Sequence, residues 1–191
     1  MDHFSLVATV YDRLFSPPDH DRLRSLLDLP AAGKLLDVGG GTGRVAQAVI
    51  GLVEEAVVLD ESHRMLEQAR LKGLTVVQGQ AERLPFADGT FARVLVVDAF
   101  HHLADQAQSA AEFLRVLAPG GRLVVEEPNV EQAAVRLLAL AEKVLLMRSH
   151  FRTPAQVQEI LEDAGGRVRL HREGRTFWAV VSKPGAAADE E

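Results

Sequence analysis

The residues best suited to chemistry are Asp37-Val38-Gly39-Gly40-Gly41-Thr42-Gly43, four glycines and one acid within seven positions. Glycines let a ligand approach the backbone, and a helix N-terminus beyond them offers unpaired N–H groups to a nucleotide-like molecule. Three further groups recur at positions where apolar runs end: Asp60 after AVVL, Asp98 and Ala99 after FARVLVV, and the pair His101-His102 just beyond. Imidazoles exchange protons near neutral pH, which makes His101 and His102 the candidate acid–base residues. Gly41-Thr-Gly43-Arg-Val-Ala46 also fits the G-x-G-x-x-A dinucleotide fingerprint, with Asp60 at a suitable distance to bind a ribose. The loop alone does not choose between ligands.

These residues need a scaffold that brings strand ends together. KLLDV (34–38), AVVL (56–59), Leu74–Val77, FARVLVV (91–97) and RLVVEE (122–127) read as continuous apolar strands, which suits a parallel sheet buried on both faces. Helices are expected over 19–29, 43–52, from Ser62 to Gly73, over 105–117, from Asn129 to about Met147, and from Thr153 to Gly165-Gly166. RVRLHREGRTFWAVVSKP reads as two strands joined at Glu173-Gly174, a link short enough to demand antiparallel pairing. The fold class is therefore α/β: a Rossmann-like, doubly wound, mostly parallel sheet closed by an antiparallel C-terminal strand. We expect one domain over 1–184, with a helical lid at 1–30, a helical cap at 129–152 and an acidic tail at 185–191.

Composition narrows the function. The 191 residues include 21 basic and 27 acidic side chains, a net charge of −6, and no cysteine. An acidic chain lacks the field of a general nucleic-acid binder, and disulfides, thiolate metal sites and cysteine nucleophiles are excluded. No His/Asp/Glu spacing suggests a metal. MDHFSLVATVYDRLF has no basic start followed by an apolar core, and the apolar stretch Val130–Met147 carries Glu131, Arg136, Glu142 and Lys143, so neither a signal peptide nor stable membrane insertion is expected. The expectation is a cytoplasmic monomer or homodimer.

The motifs LLDVGGGTGRVA, VVLDES, GQAERLPFADGTFARVLVVDAFHHL and LRVLAPGGRLVVEEPN, in that order, resemble the class I S-adenosylmethionine-dependent methyltransferases. Within them, the resemblance is to the branch that includes quinone-biosynthesis C-methyltransferases. It implies a seven-stranded sheet with S-adenosylmethionine as cofactor and S-adenosylhomocysteine as product. It also implies that Asp37, Gly39, Gly41 and Gly43 serve the methionyl side, with the Asp37 carboxylate on the ammonium group. Asp60 would take the ribose hydroxyls, while Glu61 and Met65 would lie at the adenine edge. Gln80 and Ala81 stand where the family commonly has Asp-Ala; a glutamine carbonyl still accepts from the adenine amine. Asp98 and Ala99 would lie near the methionine moiety, and Glu82 would hold its loop.

Methyl transfer needs alignment and exclusion of water, with a base only if the acceptor loses a proton. The acceptor pocket falls to the N-terminal segment with Phe4, Val7, Tyr11, Leu14 and Phe15, and to the apolar segment 129–147. Arg148, His150 and Arg152 would stand at its mouth. The expected acceptor is an apolar, quinone- or lipid-like small molecule. The alternatives are a non-catalytic S-adenosylmethionine-binding protein and an NAD-dependent oxidoreductase.

Overall fold

A computed structural model describes residues 19–132, 135 and 149–185. Its strands are β1 (Lys34–Val38), β2 (Glu55–Asp60), β3 (Thr75–Gln78), β4 (Phe91–Val97), β5 (Leu117–Pro128), β6 (Arg167–Glu173) and β7 (Thr176–Ser182). They form one sheet in the order β3-β2-β1-β4-β5-β7-β6. β1 to β5 pair in parallel, and β7 runs antiparallel to both β5 and β6. The expected α/β sheet and its single antiparallel strand are both present.

The helices are α1 (His20–Leu27), α2 (Arg44–Ala48), α3 (His63–Leu71), α4 (Gln106–Val116) and α5 (Pro154–Asp163), with a 3-10 turn at Phe100–His102. Their starts follow from capping chemistry. Asp19, Ser62, Asp105 and Thr153 each accept from a backbone N–H in the first turn of α1, α3, α4 and α5, and Thr153 with Gln156 forms a complete capping box. Each helix then buries one apolar face against the sheet. α4 and α5 cover a core built on Leu36, Val94, Val96, Leu123, Phe113 and Phe177. α1 and α2 cover the other face, with Leu23, Leu27, Val45, Leu95, Val124 and Trp178.

Several boundaries differ from expectation. The helix expected over 43–52 stops at Ala48, because Val49 leaves helical geometry at φ −113° and the chain turns to reach β2. α1 ends at Asp28, in the left-handed region at φ 56°, rather than at Pro30. Asn129 accepts from Glu131 N–H through its side chain (3.1 Å) and from Gln132 N–H through its carbonyl (3.0 Å), and residues 130–132 form a turn. The remainder of the helix expected beyond it, the N-terminal lid residues up to 18, Arg148 and the tail from 186 lie outside the described residues.

The loop 79–90 is held largely by Arg115 and its partner Glu112. Arg115 donates to the carbonyls of Leu84 (3.0 Å) and Phe86 (2.8 Å) and pairs with Glu112 (2.6 Å) and Asp88 (2.8 Å). Glu112 in turn accepts from Leu84 N–H at 2.8 Å. Arg115→Met should strand these acceptors and cost about 1–3 kcal/mol of stability in urea denaturation. Amide exchange should quicken first within residues 82–90.

Candidate active site

The carboxyl ends of β1, β2, β4 and β5 bound a crevice, the usual ligand position in an open α/β sheet. After β1 the chain folds over the end of β2. Gly39 N–H donates to the Leu59 carbonyl at 2.7 Å, and Gly41 N–H to the Asp60 carboxylate at 2.9 Å. The other Asp60 oxygen accepts from Ser62 N–H at 2.8 Å. Asp60 is thereby locked in orientation, with acceptor capacity to spare for two hydroxyl donors. Gly39 has φ +67°, and a Cβ there would stand 2.6 Å from the Ala99 Cβ, so the ends of β1 and β4 meet only because this residue is glycine.

The sequence-predicted residues separate into groups. Gly39, Gly41, Asp60, Asp98 and Ala99 come together at the strand ends, with Glu61 exposed and Met65 half-buried at the start of α3. Asp98 holds φ +50°, an uncommon conformation for a side chain other than glycine, and its N–H donates to the Glu126 carbonyl at 3.0 Å. Gln80 is exposed in the loop after β3 and Ala81 is buried beneath it. Glu82 holds the loop as expected, accepting from Ala104 N–H at 2.9 Å and Asp105 N–H at 3.2 Å. Gly43 faces away from the crevice. A Cβ on it would overlap Leu74 Cδ1 and crowd Ala69 of α3, so close packing requires glycine here.

Asp37 lies beneath the loop, 1% exposed, where its carboxylate accepts from Ala46 N–H at the start of α2. Its second oxygen, Oδ2, is buried with no hydrogen-bond partner. Burial, then the nearby Asp60 charge, pushes its pKa up to about 7. The crevice fits S-adenosylmethionine: an orphaned buried acceptor, a locked carboxylate and a glycine cradle match an ammonium group, a ribose diol and close backbone contact.

The two histidines occupy different environments. His101 is 1% exposed, its Nδ1 lies 2.6 Å from Glu127 Oε2, and its ring stacks on Phe151 at 4.2 Å. Glu127 also accepts Phe100 N–H at 2.8 Å. That enclosure fixes the orientation of the His101 ring, with Nδ1 engaged by Glu127. His102 is exposed, its ring 4.0 Å from that of His101. Desolvation of its inner side, then His101, lowers its pKa to about 3, so the ring is neutral at pH 7.

Sequence reasoning missed Glu126 and Glu127, consecutive acids in an apolar strand, which alternation sends to opposite faces of the sheet. Glu126 accepts Trp178 Nε1–H at 2.7 Å. Burial, against that hydrogen bond, raises its pKa to about 7, with Asp98 and Glu127 adding to the rise. The pattern VVEE at a strand end was the available signal.

Comparisons with known proteins agree with this geometry. A family model described as a methyltransferase domain matches residues 36–125. The chain is 29% identical over 171 residues to the ubiquinone/menaquinone biosynthesis C-methyltransferase UbiE of Saccharophagus degradans, covering 81% of this chain and 67% of that protein. It is 35% identical over 126 residues to the demethylmenaquinone methyltransferase of Mycolicibacterium vanbaalenii, covering 66% of this chain and 54% of that one. The chain thus spans between about half and two thirds of these relatives. The S-adenosylmethionine dependent methyltransferase of Mesorhizobium loti shares the fold, with a TM-score of 0.73 at 17% identity over 85% of this chain and 96% of that chain.

Asp37 and Glu126 set a pH dependence. Their folded pKa values, about 7, lie above the ordinary values of 3.8 and 4.5. Between about pH 4 and 7 the native state therefore binds more protons than the unfolded one, and stability falls as pH rises through that window. Urea midpoints of the ligand-free protein should be higher at pH 5 than at pH 8. Asp37→Asn should flatten the difference and stabilise the protein at pH 8.

Proposed function

We propose, from the premise that this chain is a class I S-adenosylmethionine-dependent methyltransferase of the quinone-biosynthesis C-methyltransferase-like branch, that it methylates a small, apolar, quinone- or lipid-like acceptor. The observation that carries the cofactor reading is the Asp60 carboxylate, held by Gly41 and Ser62 at the end of β2. The relatives named for ubiquinone and menaquinone synthesis support the acceptor class.

S-adenosylmethionine, when bound, supplies an electrophilic methyl carbon on a sulfonium, and the displacement needs in-line alignment in a dry site. Asp60 accepts the ribose hydroxyls, and the orphaned oxygen of Asp37 accepts from the ammonium group. Gly39 and Gly41 admit the methionyl chain to the backbone, with Asp98 and Ala99 beside it. Glu61, Met65, Gln80 and Ala81 flank the adenine. Residues 1–30 and 129–152 cover the acceptor within a single domain spanning 1–184. His102, neutral at pH 7, receives a proton where the attacking atom must lose one, and His101 fixes the turn that carries it. The enzyme acts in the cytoplasm as a monomer or homodimer, without nucleic acid. Among the described residues no helix is long and apolar enough to cross a membrane.

Calorimetric titration tests the cofactor. S-adenosylmethionine and S-adenosylhomocysteine should bind in the micromolar range, and Asp60→Ala should weaken both by at least about a hundredfold, the loss of two charge-assisted hydrogen bonds at their weaker limit. Binding of NAD alone would overturn the reading. In a turnover screen, activity confined to small, highly polar acceptors would overturn the acceptor class. His102→Gln should lower kcat by about a hundredfold, the low end for general acid–base catalysis given so low a pKa. Unchanged turnover across pH would remove His102 from proton transfer.

A further inference from the structure

A second cavity lies at the opposite end of the sheet from the crevice. The antiparallel register places Arg122 of β5, Ser182 of β7 and Arg167 of β6 in one row, and Val124, Val180 and Arg169 in another row on the same face. Residues two apart on a strand share a face, so Arg167, Arg169 and His171 line one side of the edge strand β6. α1 packs on that face and contributes Ser25 and Leu26. Between α1 and β6 is a groove of about 600 Å³ lined by Ser25, Arg122, Arg167, Arg169, His171 and Ser182, with Leu26 and Val180 as apolar floor.

The charge in this groove is only partly neutralised. Among the described residues Arg167, Arg169 and His171 have no ion-pair partner, and no acid lines the cavity. Among the described residues only Arg122 of the three arginines has an acidic partner, which it shares with Arg93. Asp28 lies 3.9 Å from both Arg93 and Arg122, and Glu173 pairs with Arg22 at 4.0 Å. Arg122 also donates to the Leu26 carbonyl at 3.1 Å, which fixes its guanidinium at the wall. Basic residues on an edge strand discourage strand pairing between molecules. That role would not recruit Arg122, which stands two strands inward. Arg167 and Arg169, which have no ion pair among the described residues, stand beside Arg122 with their charge available to an outside anion.

We propose that this groove binds a small molecule carrying two or more adjacent phosphates, held by Arg122, Arg167 and Arg169, with its apolar part on Leu26 and Val180. Guanidinium groups match phosphate oxygens with paired, charge-assisted donors, and the serine hydroxyls add shorter-range ones. The volume falls within the range of small-molecule sites. The cations converge on a concave groove rather than project from a flat face, which favours a discrete ligand over a bilayer. The site stands apart from the glycine loop and does not depend on the methyl-transfer reading.

Inorganic pyrophosphate titrated calorimetrically into the full chain at low salt tests this site. The native chain should bind one equivalent saturably, and Arg167→Ser with Arg169→Ser should weaken binding at least about tenfold, since one charge-assisted hydrogen bond is worth that much. Both side chains are exposed, so the thermal midpoint of the double variant should match that of the native chain. Arg70→Ser, on the distant α3, should bind as the native chain does. Equal binding by the double variant, an adventitious ion only, would overturn the proposal, as would absence of saturable binding. Flotation with vesicles of phosphatidylcholine and phosphatidylglycerol, without pyrophosphate binding, would assign the groove to a membrane surface and overturn it as well.

Discussion

The carboxylate of Asp60 is the joint on which the crevice depends. One oxygen takes the N–H of Gly41 from the loop after β1, and the other takes the N–H of Ser62, which itself caps α3. Two loops and a helix start are thereby referred to a single side chain at the end of a buried strand. The fork removes side-chain freedom before any ligand arrives, so less ordering cost falls on binding. It also requires the glycines. At Gly40 a Cβ would stand 2.6 Å from the Asp37 carboxylate, and at Gly39 the same distance from Ala99. The glycine loop is short of side chains because two neighbouring strand ends already occupy that space.

The crevice that results is anionic. Asp60 acts on the charge of Asp37, and Asp98 and Glu127 act on that of Glu126, with Arg44 opposing both Asp37 and Glu126. Acids at these strand ends offer acceptors to a sulfonium-bearing ligand with an ammonium group. The fingerprint Gly41-Thr-Gly43-Arg-Val-Ala46 does not by itself disfavour a nicotinamide dinucleotide. The topology does, because β7 runs antiparallel between β5 and β6 where a dinucleotide-binding sheet continues in parallel. The arginine-lined groove sits at the other pole of the same strands, so one sheet separates a cation-selecting end from an anion-selecting end.

Most of the scaffold was legible in the sequence because continuous apolar runs and capping residues act locally. β4 has the expected ends, and Thr153 with Gln156 caps α5 as its spacing indicates. What was not legible concerns direction. Gly43 belongs to the same motif as Gly39 and Gly41, yet it turns toward Leu74, and spacing does not reveal which wall a glycine serves. α2 ends early because the chain must reach β2, a tertiary demand that overrides the apolar pattern of Val49, Ile50 and Val53. The two histidines look alike in sequence, but only the fold brings Glu127 and Phe151 against the first of them.

The turn that carries the two histidines is also bonded to the segment at 149–152. His150 N–H donates to the His101 carbonyl at 2.6 Å. The Gln106 amide donates to the carbonyls of both Phe100 (3.0 Å) and His150 (2.9 Å), while its oxygen accepts from Arg152 at 2.8 Å. The 3-10 turn after β4 and the strap at 149–152 are thus one hydrogen-bonded unit, with Glu127 beneath it and Gln106 between its parts. Buried polar groups of this kind are costly to leave unpaired, which holds the two segments against each other. At His101 the carboxylate of Glu127 engages Nδ1 and the ring stacks on Phe151, which fixes the orientation of the imidazole. The exposed ring of His102 lies 4.0 Å from that of His101, so the oriented first histidine gives the second a defined place after the strand end that carries Asp98.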